Sequence, residues 1–176
     1  MPVDNERAQE SEAEAHTIAS ALENVRLVEY DERFLERSWT WFNDEEILAL
    51  TMTPPLTSKA DQLAWFAGLA KRTDYFVWGI ETGDKPIGVT GLKHVKGTAA
   101  EAFTVIGDKE YWGRGLSRMI MRVLIGHARN LGIKWISART LMSNVRSMRS
   151  LVSYGFTEWK TEGDVKWMKY GVDDEP

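Results

Sequence analysis

The sequence contains no cysteine. This absence excludes a disulfide framework, a catalytic thiolate and a zinc site with cysteine ligands, and we predict no metal site. Nor does any apolar run approach the roughly 18 residues of a membrane span. The first sixteen residues are acidic and lack the apolar core of a signal peptide, so we expect a cytoplasmic protein with no membrane partner.

An excess of positive charge is also missing. The formal net charge is −4 at pH 7, which is the wrong sign for a broad nucleic-acid-binding face, and we predict no nucleic-acid partner. Any phosphate ligand must therefore be bound by a local feature of the chain rather than by the overall field.

The length and composition fit one folded domain. The chain has 176 residues, of which 43% are hydrophobic, and this is enough for a sizeable core. Residues 1–23 are rich in Glu and Ala and predict a flexible acidic tail, residues 24–172 the folded domain, and residues 173–176 an acidic end. Eight tryptophans are many for this length; they indicate either aromatic-rich packing or an aromatic-lined site.

Hydrophobic periodicity predicts the elements of the first half of the chain. A strand near Val25 is followed by three helices, and four apolar side chains are predicted on one face of the first helix: Phe34, Leu35, Trp39 and Phe42. The third helix starts at Ser58, whose spacing to Asp61 resembles a capping box, and runs to about Lys71. Three strands with tight connections follow in residues 75–107 and indicate an antiparallel meander.

The second half alternates helices and strands. Residues 116–132 predict a long amphipathic helix that ends at Gly132, with a buried stripe of six residues: Leu116, Met119, Ile120, Val123, Leu124 and Ala128. A strand at 134–140, a short helix at 144–154 and a terminal hairpin around Gly163 complete the chain. This order predicts a mixed α/β (α+β) domain in which helices cover a central sheet.

The most informative segment is the junction between the third strand of the meander and the long helix. After a short turn, Tyr111-Trp112-Gly113-Arg114-Gly115-Leu116-Ser117 opens the helix. Helix starts leave N–H groups unpaired and carry partial positive charge, and glycine lets the main chain approach an anion closely. The segment therefore predicts a phosphate or diphosphate cradle, although a glycine pair alone is also common in loops without a ligand.

Other phosphate motifs fit this segment less well. The Lys-Ser/Thr pair of a P-loop is missing. The dinucleotide fingerprint needs a third small residue where this chain has Arg118, and it also needs an early parallel strand–helix–strand unit.

The same segment resembles a known family. Trp112-Gly113-Arg114-Gly115-Leu116-Ser117 looks like the diphosphate motif of the GNAT (GCN5-related) N-acetyltransferases, Arg/Gln-x-x-Gly-x-Gly/Ala, with Trp112 and Ser117 as departures. The stretches AEAFTVIGDKEYWGRGLS and WFNDEE are similar to the ribosomal-protein N-terminal alanine acetyltransferase branch. The resemblance covers residues 25–170. It implies the GNAT fold, a mostly antiparallel sheet of about seven strands that splays between strands 4 and 5, and acetyl-CoA as co-substrate.

A second motif lies downstream, where Asn144 and Ser147 begin a helix that ends in Gly155-Phe156. It resembles the Asn-x-x-Ala/Ser helix of the same family, which implies that Asn144 hydrogen-bonds the pantetheine arm. Asn is also a good helix N-cap, so Asn144 has two compatible interpretations. Family members often have a Tyr acid seven residues after this Asn, but this chain has Leu151 there.

Acetyl transfer needs a base, an oxyanion donor and a leaving thiolate. The resemblance points to Glu101, fourteen positions before Gly115, as general base, with His94 as the weaker alternative; a solvated strand glutamate is the plain interpretation. For the oxyanion it implies the main-chain N–H groups of three residues: Val105, Ile106 and Gly107. Ser147 is the candidate hydrogen-bond donor to the sulfur, although the thiolate can also leave unaided.

The acceptor is the least determined part. The fold builds its pocket from the first helices and the terminal hairpin, which gives these candidates: Trp39, Trp41, Asn43, Asp44, Glu45, Glu46, Trp65, Trp159 and Trp167. Carboxylates there would favour a cationic amine. A protein N-terminus, a nucleotide-linked amino sugar and a small amine all remain open, as does a non-catalytic acyl-CoA-binding module. We expect a monomer or a homodimer.

Overall fold

The computed structural model describes residues 24–173, so the predicted tail of residues 1–23 lies outside the described residues, as do residues 174–176. Within the described part, seven strands form one sheet in the order β1-β2-β3-β4-β5-β7-β6. The strands are β1 Val25–Glu29, β2 Phe76–Thr82, β3 Lys85–Lys96, β4 Ala99–Ile106, β5 Trp135–Leu141, β6 Thr157–Glu162 and β7 Val165–Gly171.

Helices connect and cover these strands. They are α1 Glu32–Trp41, α2 Glu45–Leu50, α3 Lys59–Gly68, α4 Leu116–Asn130 and α5 Val145–Tyr154, with 3₁₀ turns at Leu69–Lys71 and Lys109–Tyr111. Ser58 accepts the N–H of Asp61 at the start of α3 (3.3 Å), which confirms the predicted cap. No helix within residues 24–173 combines the length and apolar character needed to cross a bilayer.

The sheet is antiparallel except at one pair of strands. β2, β3 and β4 form the predicted meander, while β4 and β5 run parallel. That parallel pairing covers only Ala99–Ala102 against Trp135–Ala138. β4 continues to Ile106 and β5 to Leu141 without pairing to each other. The predicted mixed sheet with a splay between strands 4 and 5 is confirmed.

Two apolar layers lie on opposite faces of the sheet, because successive strand residues point to opposite sides. On one face, α4 and α5 pack over Leu92 and Ala102. On the other face, α1, α2 and α3 pack over Val89 and Val105. The layers leave the gap between β4 and β5 flanked by helices on both sides.

Two predicted helix faces are rotated in the structure. α1 buries Trp41 (3% exposed), whereas the predicted Trp39 is only half-buried. The ring of Trp41 lies against Gly107, where an added Cβ would come within 2.1 Å of it. In α4 the stripe includes Met121 and Ile125, and the predicted Met119 and Val123 are exposed. Here the packing of α4 against β1, β3 and α5 decides which side of the helix is buried.

Candidate active site

A cavity of about 1190 Å³ opens where β4 and β5 separate. Its walls come from the ends of β3, β4 and β5, the start of α4, one side of α5, and residues 50–58 after α2. The cavity brings together the glycine segment, Asn144, Ser147 and Glu101, which are far apart in the sequence.

The open edge of β4 presents main-chain groups to this cavity. In an antiparallel pair, alternate N–H groups point to the neighbouring strand. Gly107 donates its N–H to Ile87 O (2.9 Å), so the N–H of Val105, paired with Val89, also points to β3. Ile106 is turned the other way, because its carbonyl accepts the Trp112 indole N–H (2.7 Å).

Of the three predicted oxyanion donors, the structure therefore turns Val105 and Gly107 away from the opening. Ile106 faces it. By the same alternation, so does the main chain of Thr104, which the sequence prediction missed. Strand register decides this, and the apolar pattern of residues 101–107 does not reveal which side bonds to β3.

The glycine segment forms a turn with open space above its main chain. Gly113 and Gly115 both have left-handed backbones (φ 74° and 79°), and an added Cβ at either would meet nothing within 4 Å. Gly115 is the N-cap of α4 and provides no side-chain cap. The N–H groups at the start of this fifteen-residue helix thus face the cavity, beside Ser117, while the Leu116 side chain is buried (1% exposed). This turn fits a diphosphate.

Trp112 and Arg114, both predicted to bind the diphosphate, make hydrogen bonds within the protein. The Trp112 main-chain N–H closes the preceding 3₁₀ turn on Lys109 O (3.1 Å). Its ring instead links the end of β4 to α5, because Arg146 lies over it at 4.5 Å. Arg114 donates its Nε–H to Glu110 O (2.6 Å) and is exposed.

Basic side chains surround the glycine turn in greater number than the motif suggests. The arginines that line the cavity near it are Arg114, Arg118, Arg146 and Arg149. Arg118 follows the motif directly, and the other two additional arginines lie on α5. An acidic protein therefore has a locally positive cavity mouth, which suits an anionic ligand. The spacing of Arg146 and Arg149 along a helix next to Asn144 is the signal that could have predicted them.

Asn144 confirms its N-cap interpretation. Its Oδ1 accepts the Ser147 N–H (3.1 Å), and its Nδ2 donates to Leu50 O at the end of α2 (3.0 Å). Both ends of the amide are thus engaged within the protein, and the side chain ties α5 to the loop that covers the cavity. Ser147 lies one turn further on, half-buried, and lines the cavity.

Glu101 is buried at the point where the strands separate. Its Oε1 accepts from Arg139 Nε (2.7 Å) and pairs with Lys93 Nζ (3.2 Å), and its Oε2 lies 3.0 Å from His94 Nδ1. Burial alone would raise the pKa of Glu101, but Lys93, the His94 hydrogen bond and Arg139 outweigh it and hold the pKa below its ordinary value. The carboxylate is therefore anionic, and both oxygens are engaged. Sequence reasoning missed Lys93 and Arg139, since only strand pairing brings them to Glu101.

An aromatic wall lies beside Glu101 on the α3 side of the cavity. Tyr75 packs against Phe103 (5.6 Å between ring centroids) and edge-on against Trp65 (6.1 Å), which in turn contacts Tyr30. All four line the cavity. Burial raises the pKa of both Tyr30 and Tyr75 to about 12, so both are neutral. The aromatic-lined site considered from the tryptophan content is thus present. Of the four aromatic residues of this wall, the sequence analysis predicted only Trp65 as an acceptor-site residue.

The remaining acceptor candidates lie elsewhere. Apart from Trp65, none of them is among the described residues that line the cavity: Trp39, Trp41, Asn43, Asp44, Glu45, Glu46, Trp159 and Trp167. Asp44 and Glu46 instead pair with Lys109 (2.8 Å each). The structure therefore does not support the expectation that these carboxylates attract a cationic amine to the cavity.

The open strand edge and the uncapped, glycine-rich start of α4 belong to one cavity, and comparison with known proteins identifies the family. Residues 24–157 match the family model described as the acetyltransferase (GNAT) domain. The chain therefore belongs to the GNAT acetyltransferase family. The ribosomal-protein alanine acetyltransferase branch predicted from the sequence is not confirmed.

Solved structures share this fold. Spermidine N-acetyltransferase from Vibrio cholerae, in complex with CoA and spermine, superposes with a TM-score of 0.78 at 17% identity, over 85% of this chain and 96% of that one. The N-acetyltransferase PseH from Campylobacter jejuni gives a TM-score of 0.65 at 14% identity, over 84% and 98%. At these identities the likeness establishes the fold alone.

A curated relative is the uncharacterized protein MJ1062 of Methanocaldococcus jannaschii. It is 23% identical over 157 residues, which are 82% of this chain and 32% of that protein. The chain thus spans about a third of the length of the curated relative that it matches.

Proposed function

We propose that this protein is an N-acetyltransferase that moves the acetyl group of acetyl-CoA to a primary amine by direct attack on the thioester. One observation carries the proposal: the open edge of β4 and the uncapped start of α4 belong to the same cavity. The helix start offers N–H groups to a diphosphate, and the strand edge offers main-chain groups to the amide-bearing pantetheine arm.

Individual residues have defined parts in this arrangement. The main chain from Gly113 to Ser117 would bind the diphosphate, and the arginines at the cavity mouth would neutralise it. The N–H groups of Ile106 and Thr104 would hold the pantetheine amides or the oxyanion. Asn144 would act by holding the covering loop in place, because both ends of its amide are already bonded.

Deprotonation of the acceptor is centred on Glu101. An ammonium has no lone pair, so a proton must leave before the nitrogen attacks the carbonyl carbon. Glu101, the general base predicted from the sequence, lines the cavity and would take part either directly or through a neighbouring group. Ser147 would donate a hydrogen bond to the departing sulfur.

The acceptor itself is a primary amine with an apolar or aromatic body. This proposal is supported by the wall of Tyr30, Trp65, Tyr75 and Phe103, and by the engagement of Glu101 with cations. Of the carboxylates that line the described cavity, Glu101 is engaged by cations and Asp61 has no ion pair, so the preference for an apolar amine over a polyamine rests on the aromatic wall. A protein N-terminus, an amino sugar linked to a nucleotide and a small amine remain the classes to compare.

The second candidate is an acyl-CoA-binding module without turnover. It is favoured by Leu151, which occupies the position of the family's Tyr acid and lies buried in the core (7% exposed).

Release of free thiol from acetyl-CoA tests the proposal. Amino-terminal peptides, amino sugar nucleotides, aromatic amines and polyamines are compared at saturating acetyl-CoA, with acetyl-CoA binding measured in parallel. We expect thiol release that depends on an amine and is stronger for apolar amines than for polyamines. Binding of acetyl-CoA without thiol release from any amine would establish the non-catalytic module instead.

A further inference from the structure

His94 is held in an unusual backbone conformation at the margin of the cavity. Its φ is 53°, in the left-handed region that residues with a Cβ rarely adopt. The register between β3 and β4 shifts between Lys93 and Lys96, and the next residue, Val95, donates its N–H to Asp74 O (3.0 Å). These contacts fix the end of β3 so that the imidazole lines the cavity.

The imidazole is bound on one side only. His94 Nδ1 lies 3.0 Å from Glu101 Oε2, the carboxylate side chain being 8% exposed and the imidazole 66% exposed. Because a carboxylate oxygen only accepts, the neutral imidazole must carry its proton on Nδ1 and donate it to Glu101. Nε2 then has a free lone pair and no hydrogen-bond partner among residues 24–173. An imidazole oriented in this way by a carboxylate is suited to remove a proton.

Glu101 by itself is less suited to that task. Arg139 and Lys93 engage one carboxylate oxygen and His94 engages the other, so a proton on Glu101 would displace one of these partners. The same contacts keep the carboxylate anionic and fixed in direction. Such a group positions a neighbour better than it accepts a proton.

We infer that His94 is the group that takes the proton from the acceptor amine, and that Glu101 is a positioning residue which acts through it. The inference deepens the proposed function and rests on it. His94 Nε2 accepts one proton from the ammonium, and the nitrogen lone pair then forms the C–N bond to the thioester carbonyl carbon. The C–S bond breaks, its electron pair leaves with the sulfur, and the second nitrogen proton passes to the thiolate. The exposed imidazolium returns its proton to solvent.

Several charged or titratable groups enter any pH dependence at this site. Asp74 and Glu101 interact with the His94 imidazole, and Tyr75, Lys93 and Arg139 interact with the Glu101 carboxylate. Arg72 pairs with Asp74 at 2.8 Å. Of the groups that face the imidazole, Glu101 is the one whose carboxylate touches it.

The test is the pH profile of kcat/KM for thiol release in four proteins. They are the wild type, His94→Asn, Glu101→Gln and the control His127→Gln. Asn tolerates a left-handed backbone, so His94→Asn preserves the fold. His127 stacks on Trp78 (4.7 Å between ring centroids) and is not among the residues that line the cavity, so its variant should keep the wild-type profile.

We expect His94→Asn to lower kcat/KM about 100-fold near neutral pH, which is within the range for loss of a general base. The same variant should also lose the decline of kcat/KM at low pH. Glu101→Gln should keep the decline of kcat/KM at low pH but lower kcat/KM, since the imidazole would have lost the carboxylate that orients it. If the decline of kcat/KM at low pH persists in His94→Asn and disappears in Glu101→Gln, the inference is overturned and Glu101 is the direct base. If the wild type releases no thiol with any amine, the proposed function fails and the inference fails with it.

The tautomer of His94 gives a readout that does not depend on turnover. The chain has three histidines, so long-range ¹⁵N–¹H NMR spectra of the wild type and His94→Asn identify the resonance. In the neutral imidazole we expect a proton on Nδ1 and none on Nε2, and loss of that preference in Glu101→Gln. A proton on Nε2 in the wild type would contradict the inference.

Discussion

At the residue scale, one buried carboxylate in the cavity lies among three basic side chains. Glu101 is 6% exposed and is in contact with Lys93, His94 and Arg139. A buried carboxylate is tolerated when its partners remain in place, and removal of its charge leaves those partners uncompensated. Glu101 therefore contributes to stability as well as to the site.

The stability of a Glu101→Gln variant tests this coupling. Because the folded state lowers the pKa of Glu101, its stabilisation is present above the ordinary value of 4.5 and is lost as the pH falls through the lower folded-state pKa. We expect the variant to lose about 1.5–3 kcal/mol of unfolding free energy at pH 7, as for hydrogen bonds to charged groups, and the difference from wild type to shrink below pH 4.5. Denaturant unfolding from pH 3 to pH 8 measures it.

Glu46→Gln is the control for that series. Glu46 pairs with Lys109 on the surface, with 60% of its side chain exposed, and such pairs contribute little. A Glu101→Gln difference that is no larger than that of Glu46→Gln, or that grows on acidification, would contradict the account.

At the scale of elements, the packing of α1 on the end of β4 fixes the open strand edge. The Trp41 ring occupies the space that a side chain at position 107 would need. Gly107 and Asp108 both donate their N–H groups to Ile87 O (2.9 and 3.0 Å), which ends β4 against β3. The direction in which Ile106 faces therefore depends on this glycine.

Comparison of Gly107→Ala with Gly126→Ala tests whether the Trp41 ring excludes a side chain at position 107. The added Cβ would overlap Trp41, and we expect a loss of about 1–3 kcal/mol, as for overpacked cores. Gly126→Ala is the matched control, because Gly126 lies within α4 with nothing within 4 Å of an added Cβ, and it should gain about 0.5–1 kcal/mol. Equal stability changes for the two variants, measured by denaturant unfolding, would show that Trp41 does not constrain position 107.

Elements with local signals were predictable from the sequence. The Ser58 cap, the glycine turn at 113–115 and the Asn144 start of α5 each depend on a few neighbouring residues, and each is confirmed as local structure. Contacts set by strand pairing were not predictable. Lys93 and Arg139 reach Glu101 only through the registers of β3 and β5. Likewise, Met121 rather than Met119 is buried because neighbouring elements decide the rotation of α4.

At the scale of the whole molecule, the sheet and the charge distribution act together. The short β4–β5 pairing opens the sheet, and the helix layers on both faces turn that opening into a walled cavity. The net charge is −4, yet Arg114, Arg118, Arg146 and Arg149 line the mouth of the cavity. The protein thus concentrates positive charge where the proposed diphosphate would lie and has an aromatic wall where the proposed amine would enter.

Calorimetric titration with acetyl-CoA, combined with hydrogen exchange, tests the central claim most directly. Gly115→Ala is compared with Gly132→Ala, because both glycines have left-handed backbones (φ 79° and 74°) and open space at the Cβ position. Only Gly115 lines the cavity. The account predicts binding by the wild type with protection of residues 113–118, about tenfold weaker binding (roughly 1.4 kcal/mol) by Gly115→Ala, and wild-type affinity for Gly132→Ala. No heat and no protection at saturating acetyl-CoA, or equal affinities for the two variants, would contradict it.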